Sequence, residues 1–316
     1  MSGKQYFGMY LAFLVVNRYC KGIFMMESLH TRVMAIDGGG TRCRLALRTG
    51  RDVVSVETGS ANVSTDFAGG VRQIIKGIDA LAAKVGESAE ALSALPAFVG
   101  LAGVTGPEIT QRLRQALPFA HLLIKDDRPA ALRGALGERD GVIAHCGTGS
   151  FFGSRIAGMM RFSGGWGSVL GDEASAQWIG RAALKATLRA VDGRLKPSGL
   201  SQMLLDRLDG AAGIVRFAGS ADPKDFGALA PLVTAQAAAG DALGRRIMAE
   251  GATDIAQSLP AIGWAPGLTI CLTGGIGPHF EPYLPAAMQA DVSASVGEPL
   301  AGALLLAGEF AREIAQ

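Results

Sequence analysis

Two adjacent carboxylates, Asp126-Asp127, close the short apolar run Leu122–Lys125. Sheet proteins place ligand groups at the carboxyl ends of strands, and a carboxylate there can take the proton from an attacking alcohol. An aspartate in this place also suits the N-cap of a following helix. Asp127 is therefore read as a general base, with the duty of Asp126 left open. Upstream, Asp37-Gly38-Gly39-Gly40-Thr41 follows another apolar run, Val33–Ile36. Residues without Cβ atoms let successive amides point at phosphate oxygens, and Thr41 adds a hydroxyl. Asp37 is placed to hold Mg²⁺, which keeps several waters and needs few protein ligands. One such turn is equally well a tight hairpin. Gly147-Thr148-Gly149-Ser150 repeats the device after the run Val142–Cys146, and the repetition favours phosphate binding over coincidence.

Gly164-Gly165-Trp166-Gly167-Ser168-Val169-Leu170-Gly171-Asp172 leads into a helix expected to begin near Asp172. Trp166 offers a flat apolar face and Asp172 a hydrogen-bond acceptor, a pairing suited to the C–H face and hydroxyls of a sugar. A core tryptophan and a capping aspartate would read the same way singly. Thr273-Gly274-Gly275-Ile276-Gly277 follows the last expected strand, and its small residues leave room for adenine or ribose. No G-x-x-x-x-G-K-[ST] loop occurs, and no G-x-G-x-x-G follows the first strand.

These groups need elements to hold them. Arg32–Ile36, Leu45–Leu47 and Val53–Val56 read as three sequential antiparallel strands, the first pair joined by the glycine turn. Val71, Ile74, Ile75, Ile78, Leu81, Ala82 and Val85 share one helical face. Pro96–Leu101 and Leu122–Lys125 read as strands, Pro107–Leu117 and Arg128–Leu136 as helices. The order β-β-β-α-β-α-β-α marks a mixed sheet with helices on its faces. A second cycle opens with the strands Val142–Cys146, Phe151–Arg155 and Met159–Phe162. Long helical stretches follow over Glu173–Ala190 and Gly227–Leu259, then the strand Leu268–Thr273 and the helix Ala301–Ile314. Two similar α/β lobes facing each other across a cleft are expected, 32–140 and 141–316, with the closing helix 301–316 packed on the first. Residues 1–31 are read as a leader with a non-native start: the apolar run Phe7–Val16 is too short to span a bilayer, which takes about twenty residues.

Hydrophobic residues make up 49% of the 316 and charged ones 18%, as in a compact globular protein. Thirty basic against 28 acidic residues, well mixed, give no basic stripe, so no nucleic-acid partner is expected. Four cysteines (Cys20, Cys43, Cys146, Cys271) without a CxxC pair fit reduced thiols in a cytoplasmic protein.

The two glycine turns Asp37–Thr41 and Gly147–Ser150 resemble the phosphate loops of the BadF/BadG/BcrA/BcrD-type ATPase family. Gly164–Ser175 with Trp178, Ile179 and Gly180 is similar to the signature loop and helix of its N-acetylglucosamine kinase and glucosamine kinase branch. Pro299, Gly302, Ala303 and Ala307 resemble its closing helix. The resemblance runs from about Val33 to the end. It implies an actin/hexokinase-like, ribonuclease H-like two-lobed fold that uses ATP and Mg²⁺ to phosphorylate the 6-hydroxyl of an amino sugar. It also implies Asp127 as catalytic base, and Asn62, Ser150, Gly165, Trp166 and Asp172 with Asp127 at the sugar. The nucleotide falls to Gly38, Gly39, Gly40, Thr41, Gly147, Thr148, Gly149, Gly274 and Gly275, and the metal to Asp37. No membrane partner is implied, and a homodimer is admissible. Three departures stand out: Asp126 where the family carries Asn, Ala174 for a common Gly, and Phe151-Phe152 after the second turn. The phenylalanines keep free glucosamine beside N-acetylglucosamine as substrate. Two other readings are an ATP-driven electron activator of an acyl-CoA dehydratase or reductase, and a non-catalytic sugar or nucleotide sensor.

Overall fold

The computed structural model describes residues 32–316; the leader expectation for 1–31 lies outside the described residues. The chain divides into two compact units, 32–130 with Ala303–Gln316, and Ala131–Gly302.

The first unit is built on β1 (Val33–Gly38), β2 (Cys43–Thr49) and β3 (Asp52–Thr58). Helices α1 (Phe67–Val85) and α2 (Ala89–Ser93) follow, then β4 (Pro96–Leu101), α3 (Pro107–Ala116), β5 (His121–Lys125) and the start of α4 (Arg128–Leu136). The sheet order is β3-β2-β1-β4-β5, with β1 antiparallel to β2 and parallel to β4, itself parallel to β5. β1 carries Val33, Met34, Ala35 and Ile36 with no exposed surface, as a central strand covered on both faces must. α1 starts where the Asp66 carboxylate accepts from Gly69 N and stops at Gly86 in the left-handed region. Between those caps Ile74, Ile78 and Leu81 turn to the core beside Leu45, Val99 and Leu101.

The second unit repeats the opening: β6 (Gly141–Cys146), β7 (Ser150–Ile156) and β8 (Met159–Gly164) run antiparallel in sequence, and β9 (Ile270–Thr273) lies parallel to β6, giving the order β8-β7-β6-β9. Between β8 and β9 stand α5 (Ala176–Val191), α6 (Gly199–Arg207), α7 (Gly210–Ser220), α8 (Pro223–Gly227), α9 (Ala230–Ala238) and α10 (Ala242–Ala261). A 3₁₀ segment (Gly277–Tyr283), α11 (Ala286–Gln289) and α12 (Pro299–Ile314) close the chain. Gly180 of α5 lies against α8 so closely that a Cβ would come within 2.0 Å of the Phe226 carbonyl oxygen.

Two expectations need correction. The single helical stretch over Gly227–Leu259 is two helices, α9 and α10, with Gly227 itself ending α8. Gly240 takes φ 99°, and the Asp241 carboxylate accepts from Leu243 N and Gly244 N, ending α9 and starting α10. The helix after the Trp166 loop begins at Ala176, capped by the Ser175 hydroxyl. Asp172 and Ala174 adopt φ 62° and 60°, outside any right-handed helix.

Candidate active site

Parallel pairing sets the carboxyl ends of β1, β4 and β5 side by side, and the chain leaves β1 and β5 through segments that carry expected site residues. After β1, the Gly38 carbonyl accepts from Ala102 N at 2.8 Å, and the Gly39 carbonyl from Ala61 N at 3.0 Å. These bonds tie the first glycine turn to the exit of β4 and to the segment carrying Asn62. Gly38 is confined, since a Cβ would stand 2.5 Å from Leu101 Cδ2, whereas one on Gly40 would meet nothing within 4 Å. Gly40 and Thr41 are exposed. The Asn62 Oδ1 accepts from Ser64 N (3.1 Å) and Ser64 Oγ (2.8 Å), and it lies beside Gly103, where a Cβ would be 2.6 Å from it.

Asp37 faces Arg44 across the β1–β2 register, and Arg44 Nη2 donates to Asp37 Oδ2 at 2.7 Å. After β5, Asp126 is engaged by Arg128. Its Oδ1 accepts from Arg128 N (3.0 Å) and Nε (2.8 Å), and its Oδ2 from Nη2 (3.1 Å). Burial works against the Asp126 carboxylate, but these bonds from Arg128 hold it below the usual range. Asp126 thus takes up the helix-starting duty left open above. Asp127 stands in contrast. Burial first, then the charges of Asp126 and Asp37, push its carboxyl up to about 6. A carboxylate with that affinity for a proton is a competent base near neutral pH.

In the second unit, the Gly147–Ser150 turn and the Thr273–Gly277 turn meet backbone to backbone. Gly274 has φ 78°, and a Cβ on it would stand 2.3 Å from the Cys146 carbonyl oxygen and 2.8 Å from Gly147 N. Ile276 N donates to that carbonyl at 3.0 Å. Thr148 and Gly275 are exposed, and no atom lies within 4 Å of a Cβ built on Gly275. The buried Asp172 carboxylate accepts from Ser150 N, Gly167 N and Gln177 Nε2, so it joins the second glycine turn to the tryptophan loop. Burial nonetheless raises its pKa. The Ser150 hydroxyl is buried too and donates to the Glu173 carbonyl. Trp166 is 76% exposed with Gly165 beside it, so it is not a core residue.

Each unit thus gathers its own share of the expected residues: Asp37–Thr41, Asn62 and Asp127 in the first, Gly147–Ser150, Asp172 and Thr273–Gly275 in the second. Sequence reasoning missed Arg44, Arg128 and His145. The signal for Arg44 was the hairpin register opposite Asp37. For His145 it was a lone polar ring at the end of an apolar strand, next to a glycine turn.

A nucleotide's phosphates would fit turns of this kind, because Gly40 and Gly275 leave open space where a side chain would stand. Asp37, close enough to raise the Asp127 pKa, is a carboxylate of the kind that Mg²⁺ takes beside a substrate's phosphates. Among the described residues, no cluster of three or more His, Cys, Asp or Glu side chains is placed to hold a metal.

Residues 35–307 match the model of the BadF/BadG/BcrA/BcrD ATPase family. The chain belongs to this family. Membership implies the use of ATP. Among its relatives is the glucosamine kinase GspK of Vibrio cholerae, 29% identical over 281 residues, covering 87% of this chain and 95% of that protein. The N-acetylmuramic acid/N-acetylglucosamine kinase of Clostridium acetobutylicum is 28% identical, covering 73% of this chain and 78% of that one. A solved structure from Chromobacterium violaceum, titled as a candidate N-acetylglucosamine kinase, superposes with a TM-score of 0.78 at 30% identity, covering 88% of this chain and 99% of that one. The fold is accordingly the α/β actin/hexokinase-like arrangement, a ribonuclease H-like mixed sheet occurring twice. Among the described residues, no helix is long and apolar enough to cross a membrane.

Proposed function

We propose that this protein is an ATP-dependent amino-sugar kinase that transfers the γ-phosphoryl group of ATP to the 6-hydroxyl of glucosamine or N-acetylglucosamine. The observation that carries this reading is Asp127, a carboxyl at the end of β5 raised to about 6 beside Asp37 and the first glycine turn. Its neighbour Asp126 is committed to Arg128, which leaves Asp127 as the base. Names of the relatives, glucosamine kinase and N-acetylglucosamine kinase, support the choice of acceptor.

In this reading Asp127 accepts the proton of the acceptor hydroxyl as that oxygen takes the phosphoryl group. Asn62, Trp166 and Gly165 bind the sugar. Asp172 acts by holding the tryptophan loop to the second turn, through amides already in place. Gly38–Thr41 and Gly147–Gly149 hold phosphates with backbone amides, and Gly274–Gly275 leaves room for the nucleoside. Asp37 would hold Mg²⁺, whose chemistry is to draw charge from the phosphate oxygens. The electron-activator reading needs thiolates that can reach a cluster. Cys43, Cys146 and Cys271 are buried, and burial raises all three pKa values, Cys43 to about 12.

The test is a coupled ADP-release assay across a sugar panel, with the product identified by mass and NMR. Glucosamine or N-acetylglucosamine is expected to give the 6-phosphate in a Mg²⁺-dependent reaction. ADP release indifferent to every sugar would overturn the reading.

A further inference from the structure

The mechanism above leaves one half-buried titratable ring unused. His145 is the penultimate residue of β6 and pairs with Thr273 across the parallel β6–β9 register. Its Nδ1 lies 3.0 Å from the Thr273 hydroxyl, and its ring stacks on Phe151 with centroids 4.9 Å apart and planes 24° from parallel. The other nitrogen points at the second glycine turn: a Cβ on Gly147 would stand 3.3 Å from His145 Nε2. One ring thus meets one turn at the Thr273 hydroxyl and lies beside the other where Gly147 has no side chain. Those turns are already in backbone contact through Gly274.

We propose that His145 is a positioning residue for the nucleotide, a neutral clamp that holds the Thr273–Gly275 turn against the Gly147–Ser150 turn. This rests on the kinase reading for the identity of the ligand, and it goes beyond that reading in assigning the nucleotide's affinity to a side chain behind the loops. An aliphatic residue would fill the same volume but could not bond Thr273. A lysine or arginine would bring a charge into a site where His145 stays neutral, because burial lowers its pKa to about 4. Phe151 fixes the ring's plane, so both nitrogens keep their directions with little rotamer freedom to lose. The contact acts on loop geometry, not on the reacting atoms. Its loss should therefore fall on nucleotide binding and spare sugar binding.

The experiment is calorimetric titration of ADP into the full chain, alongside steady-state kinetics with glucosamine. His145→Phe keeps the ring and the stack but removes both nitrogens. It should weaken ADP binding and raise KM for ATP by up to about tenfold, the value of one hydrogen bond, with KM for the sugar little moved. His145→Asn, whose amide can reach Thr273 as Nδ1 does, should restore most of the affinity. Thr273→Val, nearly equal in volume, should reproduce the loss, and the double variant should be no worse than either single one. If His145→Phe fails to fold, the Thr273→Val titration carries the test alone. Wild-type ADP affinity in a folded His145→Phe or Thr273→Val variant would overturn the proposal, as would equal rises in both KM values. A wild-type protein that binds ADP but phosphorylates no sugar would sink the kinase reading instead, while the calorimetric series would still decide the role of His145.

Discussion

Asp127 gains proton affinity by being buried beside two other carboxylates, and that gain carries a cost to the fold. Its carboxyl rises from 3.8 to about 6, so the folded protein favours the protonated form over what the unfolded chain would choose. Stability from this group is fully present below pH 3.8 and is lost as pH rises through about 6. At pH 7.5 the ionised carboxylate therefore works against folding, by on the order of 2–3 kcal/mol. Asp127→Asn should raise Tm at pH 7.5, show no such gain below pH 3.8, and lower kcat by about a hundredfold or more while sugar binding stays measurable. Near-normal turnover in that variant would remove Asp127 from the chemistry. In the unmodified protein, log kcat/KM should climb with unit slope below about pH 6 and flatten above it. The choice between neighbouring aspartates illustrates what a sequence can and cannot say. Asp126-Asp127 announces a carboxylate at a strand end, but only the bonds from Arg128 to Asp126 tell which one remains for catalysis.

At the scale of elements, the glycine turns were legible because each interrupts a fully buried apolar strand, a contrast that few other local structures produce. The helical region between β8 and β9 was much less so. Gly227–Leu259 is rich in alanine and glycine, so apolar and polar positions barely alternate, and the break at Gly240-Asp241 is carried by one positive φ and one cap. Asp172, read as a sugar acceptor with helix capping as the alternative, starts no helix: its buried carboxylate accepts from backbone amides and from Gln177. No local signal marks its tie to the second glycine turn, because the donor Ser150 is distant in sequence. The two adjacent glycines after β9 give a test of why such turns resist substitution. Gly274→Ala would drive a Cβ into the Cys146 carbonyl at a φ of 78°. It should cost about 2–5 kcal/mol in urea unfolding, combining left-handed strain with overpacking against backbone. Gly275→Ala meets no atom within 4 Å. It should leave the urea midpoint nearly unchanged, yet weaken ADP binding if the space it fills is the nucleoside's. Equal unfolding costs for the two variants would contradict the backbone contact between the turns.

For the molecule as a whole, binding of the proposed nucleotide and metal should be visible as linkage. A ligand that binds only the folded state adds RT ln(1 + [L]/Kd), about 2.7 kcal/mol at a hundredfold excess over Kd. Mg²⁺ with a non-hydrolysable ATP analogue should therefore raise Tm, and EDTA should return most of that rise. Asp37 separates the metal's share from the nucleotide's. Asp37→Asn removes the charge but can keep a hydrogen bond to Arg44, which donates to Asp37 Oδ2 at 2.7 Å. It should lose the Mg²⁺-dependent part of the Tm shift while keeping the metal-free part. Removing Asp37 also takes a negative charge from beside Asp127, so the kcat/KM pH profile should move to lower pH in the same variant. A metal ligand that is also an electrostatic neighbour of the base must show both effects together. If the pH profile shifts and the Mg²⁺-dependent stabilisation survives intact, Asp37 tunes Asp127 but does not hold the metal.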